Sequence, residues 1–168
     1  MRDPKTNIDI IMDYNHYKIH DSQMYNISFS DTIAAAATKE FYMYTGTGEP
    51  HIKFDVTTDG QAKIEMYEGI TVSANGTSVT VHNMHRDSTD SCAAVVFAAP
   101  TWSTNSEILL AVDLIPGSGK NASQIGSTAR VDTEWIFKSD EKYLLRITNQ
   151  AGSTITAYVN CEFYEFDV

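Results

Sequence analysis

Positive charge is scarce in this chain: 12 Lys and Arg stand against 22 Asp and Glu in 168 residues, giving a formal net charge of -10. Such a surface repels a phosphate backbone over most of its area, which argues against a nucleic-acid partner. Cysteine is rarer still. Cys92 and Cys161 are too few for a disulfide scaffold or a Cys-rich zinc site, and both are expected as free thiols acting as small apolar residues. Long hydrophobic runs are missing as well. No stretch approaches the roughly 18 apolar residues of a spanning helix, and the start Met1-Arg2-Asp3-Pro4-Lys5 lacks the apolar stretch of a signal peptide. The expectation is a soluble protein made in a cytoplasm, with no membrane partner, in which the sequons at Asn26, Asn75 and Asn121 carry no meaning.

What is present suffices for one packed domain. Hydrophobic residues make up 42% and charged residues 20%, and a chain of this length removes roughly 70% of its unfolded surface from water on folding.

Sustained 3.6-residue periodicity is also lacking, whereas alternation with period two recurs. Ile52, Phe54 and Val56 oppose Lys53, Asp55 and Thr57; then comes Asp59-Gly60, a turn dipeptide, and a return segment with Ala62, Ile64 and Met66 on one face. This reads as a β-hairpin. Asn75-Gly76, between Ile70, Val72, Ala74 and Thr77, Val79, Val81, reads as a second. Tyr25, Ile27 and Phe29 alternate after a turn at Asp21-Ser22, as do Tyr143, Leu145 and Ile147. Ile155, Ala157, Val159, Cys161 and Phe163 share one face of the last strand. Ala34 to Ala37 has helix propensity but is one turn long, so a turn into a strand at Glu40 to Thr45 is expected. Eight to ten short strands with almost no helix predict an all-β antiparallel sandwich, jelly-roll-like, over residues 16–168. Two patternless segments accompany it, an N-terminal arm over residues 1–15 and a long Gly/Ser loop, Pro116 to Arg130.

Signals for chemistry are weak. Gly117-Ser118-Gly119-Lys120 fails as a phosphate loop, because Leu114 stands where Gly is needed and Asn121 where Ser or Thr is needed. His82-Asn83-Met84-His85-Arg86-Asp87, with Asp90 and Cys92 behind, is the densest set of ligand-type residues. His-x-x-His on a strand-to-loop segment does not make both rings converge, so a polar subunit contact or a solvated loop competes with a metal reading. No Gly-x-Ser-x-Gly elbow marks a nucleophile. Glu65 and Glu68, the nearest thing to a glycosidase pair, fall on opposite strand faces. Trp135 reads as core beside Phe137, and Trp102 stands between core and interface. No catalytic residue, cofactor or metal is expected. The candidate contact residues are Asp13, Tyr14 and His16 in the arm, His82, Asn83, His85 and Arg86 after the second turn signal, Trp102, and Lys120 and Arg130 in the loop.

Several segments carry a resemblance: Tyr67-Glu68-Gly69-Ile70-Thr71-Val72-Ser73-Ala74-Asn75-Gly76-Thr77, the Asn83 to Arg86 region, Glu134-Trp135-Ile136-Phe137-Lys138, Tyr143-Leu144-Leu145-Arg146-Ile147-Thr148-Asn149 and Phe163-Tyr164-Glu165. Together, across about Asn7 to Phe166, the chain resembles the auxiliary head proteins of tailed bacteriophages, described as decoration, cement or head-fibre-like. Where those proteins tend to carry Asn-Arg-Asn-Arg, this chain reads His82-Asn83-Met84-His85-Arg86. The resemblance implies a jelly-roll-like domain, no catalysis and a virion location. The expected function is that of a non-enzymatic protein on the outer head surface, synthesised in the host cytoplasm. Its partner would be the major capsid protein or another virion protein, and it would form a homo-oligomer such as a trimer. A carbohydrate-binding or adhesin module of a phage fibre is the alternative.

Overall fold

The computed structural model describes residues 13–104, 107–116, 126–127 and 134–166. One helix, α1 (Tyr14–His20), precedes fourteen strands: β1 (Met24–Ile33), β2 (Thr38–Tyr44), β3 (Glu49–Thr58), β4 (Ala62–Glu68), β5 (Thr71–Ala74), β6 (Thr77–Val79), β7 (His82–Asn83), β8 (Val95–Ala98), β9 (Thr101–Ser103), β10 (Ile108–Ile115), β11 (Gly126–Ser127), β12 (Trp135–Ile136), β13 (Lys142–Asn149) and β14 (Ile155–Phe166). The first sheet runs β11-β3-β14-β1-β7 with β12 also on β3, and the second runs β10-β4-β13-β2-β8-β6. All pairings are antiparallel. An all-β sandwich is the fold. A two-stranded ribbon, β5-β9, adds a third layer.

Period-two patterning accounts for the core. Ile155, Ala157, Val159, Cys161 and Phe163 of β14 are all buried, as are Ala62, Ile64 and Met66 of β4. They meet between the sheets with Ile27, Ile33, Phe41, Met43 and Val56. A smaller cluster, Tyr42, Ile70 and Leu144 with Val72, Phe97 and Trp102 packed against it, lies on the other face of the second sheet. That cluster is why the ribbon stays down: Tyr42 and Leu144 point away from the main core and would otherwise expose apolar surface to water.

Neither turn signal closes a hairpin. β3 pairs with β14 and β4 with β10 and β13, so Asp59-Gly60 carries the chain from one sheet to the other. The turn residues commit their hydrogen bonds to the last strand: Thr156 N donates to the Asp59 carboxylate at 2.6 Å and Asp59 N to Thr156 O at 3.2 Å. Gly60 is required for proximity, since a Cβ there would lie 2.5 Å from Ile155 Cγ2. Asn75-Gly76 likewise links β5, paired with β9, to β6, paired with β8. Gly76 has φ +83° and leaves no room for a Cβ, which would meet Ala98 O at 2.1 Å. An Asx-Gly dipeptide reports a sharp reversal, and burial of the flanking apolar faces decides whether the strands pair or stack.

Ala34 to Ala37 is a turn, with Ala37 N donating to Ala34 O at 3.0 Å, and the strand after it starts at Thr38. The helix lies elsewhere, at Tyr14–His20, starting at the end of the arm expected over residues 1–15 and running into the segment assigned to the sandwich. Asp13 caps it, accepting from Asn15 N at 3.0 Å and His16 N at 3.3 Å, which satisfies first-turn donors. The rest of the arm, the loop residues 117–125 and 128–130, and with them Lys120 and Arg130, lie outside the described residues.

Candidate interaction site

The expected contact residues separate onto two surfaces. Asp13, Tyr14 and His16 belong to the start of α1, and His82, Asn83, His85 and Arg86 lie on or just after β7, the edge strand of the first sheet next to β1. The Asp21-Ser22 turn joins them: Asn83 Nδ2 donates to Ser22 O at 2.8 Å, and Ser22 Oγ and His85 Nδ1 are 2.8 Å apart. Asn83 also accepts from His85 N at 2.8 Å and donates to Asp90 O at 3.2 Å. Its role is to shape the loop. Arg86 reaches back to Asn83 O at 3.2 Å while staying exposed, and His82 is exposed on β7 opposite Asn26. No group of three or more metal-ligating side chains forms among the described residues, and the imidazoles at 82 and 85 do not provide one.

Tyr14 packs edge-on against Tyr164 with ring centroids 5.4 Å apart, and the Lys18 ammonium lies 5.8 Å from both ring centroids while bonding Gln23. Beneath them, Tyr164 donates its hydroxyl to Glu134 at 2.6 Å, and His51 Nδ1 stands 2.5 Å from the same oxygen. Burial and this bond to a carboxylate push the Tyr164 phenol well above its ordinary pKa. Burial alone would raise Glu134, but hydrogen bonds from Tyr164 and His51 outweigh it and hold the carboxyl below its usual range. This cluster fastens α1 and Glu134, the residue before β12, to β14 and β3.

Trp102 sits on the far surface, the outer face of the second sheet. Its Nε1 donates to Glu40 at 3.0 Å, and the Arg146 guanidinium lies 4.9 Å from its ring centroid and 5.3 Å from that of Tyr67. Arg146 Nε also donates to Glu40 at 2.9 Å, and Tyr67 donates to Glu65 at 3.0 Å. Burial works against Glu65, but bonds from Lys63 and Tyr67 and the nearby Arg146 prevail and keep it ionised at lower pH than usual. Glu68, on the opposite face, instead accepts from Tyr143 at 3.0 Å and Lys138 at 2.5 Å. The two glutamates do not form a pair.

Sequence reasoning missed the feature next to this network. β10 edges the second sheet beside β4, and a bulge between Leu109 and Ala111 shifts its register. Leu109, Val112 and Leu114 consequently stand opposite Tyr67, Glu65 and Lys63 and point outward, 49%, 46% and 54% exposed. The apolar run Ile108 to Ile115 forms this strand, which the sequence reading had not singled out. The edge itself is blunted against strand addition by the bulge and by Asp113, whose partner Ile64 is core-facing. The outward stripe is the surface left open.

The void between the sheets, near Phe29, Phe54, Met66 and Cys161, measures about 70 Å³, below the roughly 300 Å³ of the smallest ligand pockets. A polar cleft of about 600 Å³ beside Asp21, Asp90 and Glu165 is open, and Glu165 there accepts from Ala93 N at 2.7 Å and Ala94 N at 2.9 Å.

Compared with models of known protein families and with curated protein sequences, the chain matches none.

Proposed function

We propose that this chain is a non-enzymatic structural protein of a tailed-phage virion, a decoration or cement protein that binds the outside of the capsid shell. The observation that carries the reading is the outward stripe of Leu109, Val112 and Leu114, since apolar side chains aligned on one sheet face are the chemistry of a protein contact. Three further points support it. The ionisable clusters around Glu134 and Arg146 are engaged in holding secondary elements together. Eight of the strands, the two-residue β11 among them, are ordered β1-β14-β3-β11 and β2-β13-β4-β10 within the two sheets; we read this as a jelly roll, an architecture that recurs in viral capsid and lectin domains. A net charge of -10 suits an outer surface, where it keeps particles mutually repelling, and would oppose packaged DNA on an inner one.

The mechanism is mass action: a protein that binds the closed lattice and not its dissociated subunits shifts the equilibrium toward the lattice. The major capsid protein, or another virion protein beside it, is the partner, and a homo-oligomer such as a trimer would multiply the contacts. The lectin-like alternative loses ground at Trp102, whose ring is already stacked by Arg146. Co-sedimentation with purified phage heads tests the proposal. The wild-type chain is expected to pellet with heads and Val112→Lys/Leu114→Lys to stay in the supernatant while remaining folded; equal pelleting of the two would remove the stripe from the account.

A further inference from the structure

Histidine is the residue type whose placement the proposed function does not use. His16 and His20 are four residues apart on α1, so one turn of helix stacks them on one face. Their rings meet edge to face with centroids 4.7 Å apart, and their Nε2 atoms are 3.1 Å apart. Both are exposed. The other side of the helix is committed to the fold through Tyr14 and Lys18 against Tyr164, and Asp13 caps its start. The pair thus stands on a short but anchored platform, facing solvent.

Two ring nitrogens bound to one ion at about 2.05 Å lie about 2.9 Å apart when the bond angle is 90° and about 3.3 Å apart when it is tetrahedral. The observed 3.1 Å falls between these values, so small side-chain rotations convert a shared hydrogen bond into a chelate. We propose that His16 and His20 form a surface binding site for a divalent transition-metal ion of the imidazole-preferring class, such as Zn²⁺, Ni²⁺ or Cu²⁺, with water filling the other positions.

In the metal-free pair one ring donates its Nε2 hydrogen to the other. On binding, that proton moves to Nδ1 of its own ring by exchange with solvent, both Nε2 lone pairs turn to the ion, and neutral rings release no net proton. Two imidazoles at i and i+4 of a helix are the ligand spacing of many zinc sites. Imidazole selects for these ions over Mg²⁺ and Ca²⁺, which demand oxygen ligands. The consequence is a removable staple across α1, the element that joins residues 1–12 to the sandwich.

The test is isothermal titration of the full chain with ZnCl₂ and NiCl₂, alongside two-dimensional NMR of the histidine rings. Saturable 1:1 binding is expected, with shifts at His16 and His20, no response to MgCl₂, and weakening in acid. His16→Ala and His20→Ala should each reduce affinity more than tenfold, whereas His82→Ala/His85→Ala should leave it unchanged. Circular dichroism of each variant confirms that the sandwich is intact, and because both rings are exposed, fold loss is not expected. His16→Ala binding as tightly as wild type, or the absence of saturable binding at millimolar metal, would overturn the proposal.

Discussion

Arg146 lies 4.9 Å above the ring of Trp102, and both side chains donate to the same carboxylate, that of Glu40. A residue of the main sandwich and a residue of the outlying ribbon thereby share one anion. The Arg146 and Glu40 side chains are only 26% and 22% exposed, so removing one partner leaves a charge poorly solvated. Arg146→Met should cost about 2 kcal/mol in urea unfolding. The double variant Glu40→Gln/Arg146→Met should cost less than the sum of the singles, and strict additivity would show that the pair is not coupled.

Gly76 and Gly152 make a matched comparison. Gly76 combines φ +83° with two carbonyl oxygens inside 3 Å of a virtual Cβ, while Gly152 has open space around it. Gly76→Ala should destabilise by at least about 2 kcal/mol, and Gly152→Ala should change stability by less than about 1 kcal/mol. Thermal melts of the two side by side decide the point.

Acid should loosen the α1 end. Glu134 has its folded-state pKa depressed, the opposing effect of burial being outweighed by Tyr164 and His51. A depressed carboxyl contributes stability that is present above its unfolded pKa of about 4.3 and is lost as pH falls through the lower folded value. Glu134→Gln should therefore be less stable than wild type at neutral pH, with the difference closing below about pH 4. A gap that is constant with pH would assign the effect to packing.

Both cysteines should be free and unreactive in the native state. Cys161 is buried among core side chains and Cys92 is half-buried. Burial, with Glu165 adding repulsion, pushes the Cys92 thiol up to about 12, and thiolate is the reactive form. Alkylation without reductant should label neither in folded protein and both after unfolding. A Cys92 to Cys161 disulfide in the native protein would contradict the structure.

The strands were legible where one face is buried and the other wet, because that geometry writes itself as alternation; β14 and β4 are the clearest cases. Pairing was not legible. Asp59-Gly60 and Asn75-Gly76 look alike in sequence whether the chain folds back within a sheet or crosses the core, and the deciding facts, Asp59 bonded to Thr156 and Gly76 pressed on Ala98, join residues far apart in the chain. α1 was missed because its seven residues hold only one strong helix former, Lys18, and its packing of Tyr14 and Lys18 on Tyr164 is a contact between residues far apart in the chain. The helix signal present was Asp13 as cap, with Tyr14 and Lys18 one turn apart. Much of the resemblance falls on residues that shape the fold: Asn149 holds Ile33 O, Ala34 O and Ser153 O with one amide, and Asn75 accepts from Tyr42 at 2.5 Å. The stripe on β10 escaped notice because edge position is a property of the sheet.

Decoration of a phage head by this protein, as proposed, is tested by its abundance relative to the major capsid protein in purified virions, quantified by stained gel bands or mass spectrometry. A lattice-binding protein should be present in a fixed ratio to the shell subunit, remain on tail-less heads, and be lost with Val112→Lys/Leu114→Lys. Its absence from heads, or presence only in the few copies of a fibre together with measurable glycan binding, would contradict the account.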